Sequence, residues 1–508
     1  MTTRVLGRVL TFGSLVIGSV PLCAQERPAE PQRHRAGDVV IERQTLTSPT
    51  GDKIEYELGT IYVPENRASL TSRIIGVGFA RFRALSPTTA PPIFTLPGGP
   101  GGSYLPRLPQ MIALLGFLRR AADVVFVDQR GYSTRGDVLL FTGRYPAAPL
   151  DQPASLARST AAEMDVAREA VTNATAKGID LAGYTVLECA DDVNDLRRAL
   201  GYQQISLNGT SFGSQWSFAV MRRHPSIVAR AILSGVEPLD YGYDAPSTVL
   251  AAVRRMASVV DQDSLFKPYL PSGGLMAAAR AVIVRLEKEP VRVEITDSAT
   301  GKPATVVLGP EDFRMSFPTG GRGFAKTILE LYYGRYTRWA TDIARRRRGG
   351  ERPFPLIGPL IDGSLGVTPA RLARLRGDSA IAFLGQWNFD AYLATADIWP
   401  SADVGDSIRT PITNPIPVVF AQGDWDTSTP LENTLDIAPF FPNRHVLVAR
   451  HGGHGVFPPI AQHAPEIMDK IVEFLRTGSM TGIPTQIDLP IPTFDRPDFP
   501  PPDRPASQ

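Results

Sequence analysis

The sequence predicts an α/β fold, a mostly parallel sheet flanked by helices with a helical cap domain inserted late in the chain. Three observations lead there. Short β-rich runs, "PPIFTL", "DVVFVD", "QISLN", "ARAILSG", "IPVVFAQ" and "RHVLVAR", alternate with longer, often helical stretches, the pattern of parallel strands joined by crossover helices. Ahead of them, residues 38–85 carry β-like runs broken by "SPTGD" and "PENRA", which predicts antiparallel hairpins. Residues 241–405 then interrupt the alternation with helix-patterned segments such as "GFAKTILELYYGRYTRWATDIARRRR", expected to lie as a cap over the strand ends.

The organisation that follows is a signal peptide over 1–24, a first part of the core over 25–240, the cap over 241–405, a second part of the core over 406–480, and a proline-rich tail over 481–508. Arg4 and Arg8, the apolar "VLTFGSLVIGSVPL" and "LCA" before Gln25 fit an export signal, so a periplasmic or secreted protein is expected. The apolar stretch is too short for a membrane span, and no stable span is expected after processing. Processing leaves Cys189 as the one cysteine, which excludes an intramolecular disulfide; within the helical "ECADDV" it reads as a buried thiol. The tail, "PTQIDLPIPTFDRPDFPPPDRPASQ", should be extended, without a core of its own. With 53 basic against 51 acidic residues, net +2, the 508-residue chain has no field to attract nucleic acid. Arg345–Arg348 reads as a solvated, cationic helix end.

Chemistry concentrates at the ends of the β-like runs. In "LNGTSFGSQWSF", Ser211 stands between Gly209 and Gly213, after a strand-like run and before a helix-like one. A serine on such a sharp turn is a candidate nucleophile, but its hydroxyl needs a base, and the base an orienting carboxylate. The run "IPVVFAQ" ends in "GDWDTSTP" and "RHVLVAR" ends in "HGGHG", which supplies them in the order Ser, Asp, His. His454, flanked by glycines, is preferred over His451, and Asp426, deeper in its loop, over Asp424. Four glycines in "LPGGPGGSY" follow the strand-like "IFT", where backbone N–H groups of Gly98 or Gly99, with that of Phe212, would receive an oxyanion. The rival phosphate-loop reading lacks the Lys-Ser or Lys-Thr pair. No cysteine or histidine cluster has metal-ligand spacing, and neither metal nor cofactor is expected.

These motifs, "LPGGPGGS" (96–103), "VVFVDQRG" (124–131), "CADDVNDLRRALG" leading to "NGTSFGS" (189–214), "GDWDTSTP" (423–430) and "GGHG" (452–455), together resemble the α/β-hydrolase peptidases that include prolyl and tripeptidyl aminopeptidases. The resemblance implies an α/β-hydrolase core, cleavage of short peptides or aminoacyl amides from the amino end, and Ser211, Asp426 and His454 as the triad. It also implies that Asp128 and Arg130 position loops around the site. After DQRG the family's glycine-rich continuation is replaced here by "YSTRGD". An aminopeptidase needs a carboxylate to meet the substrate ammonium; Glu237 in "LSGVEP" is the first candidate and Glu330 in the cap the second. The same triad would equally serve a carboxylesterase or lactonase.

Overall fold

The computed structural model describes residues 34–48, 51–385 and 393–501. The expected signal peptide and the last seven residues of the tail lie outside them. Among the described residues no helix is long and apolar enough to cross a membrane.

One sheet carries the chemistry. Its strands run in the order β1 (Val39–Thr47), β2 (Lys53–Pro64), β3 (Ile74–Phe82), β5 (Val124–Val127), β4 (Ile93–Leu96), β7 (Ile205–Thr210), β8 (Val228–Ser234), β12 (Val418–Gly423), β13 (Arg444–Arg450) and β14 (Gln486–Asp488). β1, β2 and β3 form the antiparallel meander expected from the turn signals. β4, β5, β7, β8, β12 and β13 are parallel. The central strands are apolar runs because crossover helices cover both faces, leaving no solvent side to demand polar alternation. Leu207 and Phe420, for instance, are fully buried; truncating Leu207 to alanine is expected to cost about 2–5 kcal/mol, read as a lowered denaturation midpoint.

β8 and β12 are neighbours in the sheet although the cap residues separate them in sequence. The cap has its own apolar cluster, including Val253, Ile328, Leu329 and Trp339. Two features add to the helical insertion. The cap contains an antiparallel hairpin, β9 (Val291–Thr296) with β10 (Pro303–Leu308). β11 (Gly350–Pro355) pairs with β6 (Leu140–Tyr145), so a second excursion from the first part of the core joins the cap. The arginine run is likewise not all solvated: Arg347 is buried, 2.6 Å from Asp312, and donates to the carbonyls of Pro149, Leu150, Gln152 and Val307. That cation satisfies backbone acceptors where the second excursion meets the cap, which a run of four arginines conceals. Tyr336 and Trp339 are buried in the cap cluster as packing.

Candidate active site

Every parallel strand that bears a candidate residue delivers it from its carboxyl end, where an open α/β sheet builds its crevice. Ser211 follows β7 directly and has φ 60° and ψ −133°, a left-handed backbone that a non-glycine residue occupies only when its surroundings impose it. The two flanking glycines explain how the turn closes. A Cβ on Gly209 would lie 2.3 Å from the Gly213 carbonyl oxygen, and one on Gly213 2.2 Å from that of Leu96. The helix Phe212–Arg223 starts at once, and the Ser214 N–H and Oγ both hold the Ser211 carbonyl at 2.7 Å.

Asp426 is buried in the loop after β12. Its Oδ1 accepts the N–H groups of Ser428 (2.9 Å) and Thr429 (3.0 Å); its Oδ2 accepts Thr429 Oγ1 (2.7 Å) and Gln422 Nε2 (2.9 Å). His454 Nδ1 completes the set at 3.0 Å. Burial works against the charged carboxylate, but the His454 and Thr429 hydrogen bonds outweigh it and hold Asp426 below the usual carboxylate range. Burial likewise disfavours a charged His454, yet Asp426, with a smaller contribution from Asp244, raises its imidazole above the ordinary value. With Nδ1 donating to Asp426, Nε2 is left as the proton acceptor.

His454 and Ser211 meet across Gly235, at the end of β8. A Cβ there would lie 2.9 Å from His454 Cε1 and 3.2 Å from the Ser211 nitrogen. No hydrogen bond joins the Ser211 hydroxyl to the His454 ring; in sites without substrate this contact is commonly long. The alternatives from sequence lie elsewhere. Asp424 Oδ1 accepts the His451 N–H at 2.7 Å, and the His451 ring faces the Leu489 carbonyl at 2.9 Å.

The glycine loop after β4 comes close to the serine: a Cβ on Gly98 would be 3.2 Å from Ser211 Cβ and 3.6 Å from its Oγ. The N–H groups of Gly98, Gly99 and Phe212 make no hydrogen bond within the described residues. Gln129, to which sequence reasoning assigned no role, braces this loop: its Oε1 accepts the Gly101 N–H at 2.8 Å and its Nε2 donates to the Gly98 carbonyl at 3.1 Å. Asp128 accepts Ser103 Oγ at 2.8 Å and the Tyr104 N–H at 3.1 Å; its burial lifts its carboxyl to about 6. Arg130, fully buried, is paired with Asp192 at 2.6 Å and donates to the Glu65 and Gly183 carbonyls. Cys189 is buried and free, and burial pushes its thiol up.

Glu237 follows β8, its N–H donating to Ser214 Oγ at 2.9 Å, one side chain away from the Ser211 carbonyl. Its carboxyl is raised well above the usual range, first by burial and then by Asp244, Asp362 and Asp426. Asp362, which the sequence did not single out, sits in the helix Ile357–Leu365, whose first residue touches the glycine loop near Gly101. Burial lifts its carboxyl to about 7. Neither Glu237 nor Asp362 has a hydrogen-bond or ion-pair partner for its carboxylate among the described residues. Glu330, the second sequence candidate, is not part of this group. Its carboxylate is already engaged by Arg338 at 2.6 Å and Lys326 at 3.9 Å on the cap, so its charge is neutralised there.

Residues 91–458 match the family described as alpha/beta hydrolase fold; the chain belongs to that family, and its general chemistry is that of a hydrolase. Among solved structures it is similar to a bromoperoxidase from Bacillus anthracis, at 13% identity over 82% of this chain and 99% of that one, with a TM-score of 0.35. A thermophilic esterase from Thermogutta terrifontis shows 16% identity over 82% and 98% of the two chains, with a TM-score of 0.34. A serine hydrolase from Cycloclasticus zankles shows 13% identity over 82% and 97%, with a TM-score of 0.35. No curated protein matches the chain in sequence.

Proposed function

We propose that the chain is an exported serine aminopeptidase that releases amino-terminal residues or short peptides through an acyl-enzyme on Ser211. His454 Nε2 takes the Ser211 proton as Oγ attacks the scissile carbonyl, and Asp426 holds the ring in the tautomer this requires. The N–H groups of Phe212 and of Gly98 or Gly99 receive the oxyanion. His454 then protonates the leaving amine, and water, deprotonated by the same nitrogen, releases the acyl group. The observation that carries the peptidase reading is the pair Glu237, half-buried and within reach of the Asp426 charge, and Asp362, buried and acting on Glu237, two carboxylates without a hydrogen-bond or ion-pair partner among the described residues. Burying them costs free energy that a substrate ammonium would offset.

The test is labelling of Ser211 by a fluorophosphonate, with Ser211→Ala abolishing labelling and hydrolysis alike, and Glu237→Gln raising KM for a peptide with a free amino end. Peptide kinetics indifferent to Glu237→Gln would contradict the ammonium anchor. A second reading, carboxylesterase or lactonase, draws support from the same carboxyls: burial lifts Asp362 to about 7, so the acid that acts on Glu237 is neutral at low pH, suited to an uncharged acyl group.

A further inference from the structure

The tail makes more contacts than its composition suggests. It first adds β14 (Gln486–Asp488) to the sheet beside β13, in parallel register with Val448–Arg450. Leu489 then closes on the loop that leads to His454: its N–H donates to the Arg450 carbonyl at 3.1 Å, and its carbonyl faces His451 Nδ1 at 2.9 Å. Farther on, Phe494 packs on Trp425 with ring centroids 6.1 Å apart and on Phe324 of the cap at 6.4 Å. Phe499 stands edge-on to Tyr269 and Tyr333, each at 5.6 Å, with the Arg335 guanidinium 4.1 Å above its ring. Polar contacts fix the register between the two phenylalanines. Asp495 donates its N–H to the Arg322 carbonyl at 2.8 Å and pairs with the Arg322 side chain at 3.1 Å; Lys326 pairs with Asp498, and Tyr269 Oη donates to the Phe499 carbonyl at 2.8 Å.

Two of the residues that the tail grips in the core adjoin the candidate triad. Trp425 immediately precedes Asp426, and His451 stands three residues before His454. They also touch each other, ring centroids 5.1 Å apart, while the His451 N–H is held by Asp424. His451 has φ 62°, a conformation that persists only where the surroundings enforce it. Trp425 is buried in the cap's own apolar cluster together with Phe494 and Phe499. The tail therefore joins three parts: the acid loop, the histidine loop and the cap. Its prolines reduce the entropy lost on ordering, which lowers what these contacts must offset.

We propose that residues 486–501 are a strap, in which Phe494 and Leu489 act through Trp425 and His451 as positioning residues for the loops that carry Asp426 and His454, and Phe499 fixes the cap above them. The proposal builds on the hydrolase reading of the site, but its first readout is independent of activity. In the full-length chain, Phe494→Ala/Phe499→Ala is compared with wild type and with Phe494→Leu/Phe499→Leu by amide hydrogen exchange over 423–430 and 450–456 and by the rate at which Ser211 reacts with a fluorophosphonate. Exchange in both loops is expected to rise about tenfold or more in the alanine variant, the labelling rate to fall about tenfold, and the leucine variant to recover most of both.

Wild-type exchange in both loops, in an alanine variant whose cap segment 322–339 has loosened, would overturn the strap and leave the tail as a mere cover for the cap. Should the alanine variant fail to fold, a protease site inserted at the exposed Ile491 and cut in the folded protein detaches from the chain, after assembly, the part of the strap that carries Phe494 and Phe499, with the same two outcomes. A wild type that the fluorophosphonate leaves untouched would contradict the hydrolase reading, while the exchange comparison would still decide the strap.

Discussion

Asp426 Oδ2 lies 3.0 Å from His454 Nδ1, and Thr429 Oγ1 bridges them at 2.7 Å from the carboxylate and 3.2 Å from the ring. The carboxylate thus sets the tautomer and Thr429 sets the carboxylate. Asp426→Asn is expected to lower kcat/KM for an activated ester by about 10³–10⁴, because an amide in that place favours the wrong tautomer. Thr429→Val is expected to cost about threefold to tenfold, the loss of one hydrogen bond to a charged group with the pair still in place. Steady-state hydrolysis measures both, and an Asp426→Asn loss below tenfold would remove the residue from its assigned role.

His454 must be neutral to accept the Ser211 proton, and Asp426 raises its imidazole above the ordinary value despite burial. The acid limb of kcat/KM for an ester is therefore expected above the free-imidazole pKa of about 6.5. The same elevation makes protonated His454 stabilising below the unfolded-state pKa, a contribution lost as pH rises through the folded one. A pH–rate profile on a substrate without an ionising group reads the first directly, and a limb below that of free imidazole would contradict it.

Gln129 holds the glycine loop from both sides, through Gly101 and Gly98. Gln129→Leu leaves the Gly101 N–H and the Gly98 carbonyl unsatisfied, at about 1–3 kcal/mol each where they are buried. It also frees the loop that presents the oxyanion donors, so kcat is expected to fall about tenfold or more with KM little changed. Unchanged kcat would mean that the loop keeps its shape without the bridge.

Asp362 offers a trade between stability and function. Its folded carboxyl is raised to about 7, so the folded state disfavours its charge. The resulting penalty sets in above the unfolded-state pKa, near 4, and is complete above about pH 7, on the order of 4 kcal/mol at most. Asp362→Asn is expected to raise the denaturation midpoint, by more at pH 8 than at pH 5, while weakening binding of peptides with a free amino end. Thermal denaturation at the two pH values checks the first; a lower midpoint at pH 8 would mean that a cation compensates the carboxylate in the folded protein.

The sheet and the catalytic candidates were legible because the sequence marks them locally. β-rich runs of the right length precede Ser211, Asp426 and His454, and Gly209 and Gly213 betray the tight turn through the atoms they must avoid. Asp362 and Gln129 carried no such mark: a single aspartate in an apolar helix and a glutamine within DQRG acquire meaning only when tertiary packing brings the first near Glu237 and the second against the glycine loop. The β9–β10 hairpin was lost among helix-patterned neighbours, and Arg347 among three other arginines. In the tail, prolines dominated the composition, and the anchoring role of Phe494 and Phe499 emerges only from the cap surface that receives them. The expectations for residues 1–24 fall outside the described structure.

The central claim, a serine hydrolase whose enclosed carboxylates select a free amino end, is tested most directly by hydrolysis of matched peptide anilides with free and acetylated amino ends. The account expects cleavage restricted to the free form and abolished in Ser211→Ala. Equal cleavage of both forms, or of neither by an enzyme that still hydrolyses simple esters, would contradict it and move the assignment to the esterase reading.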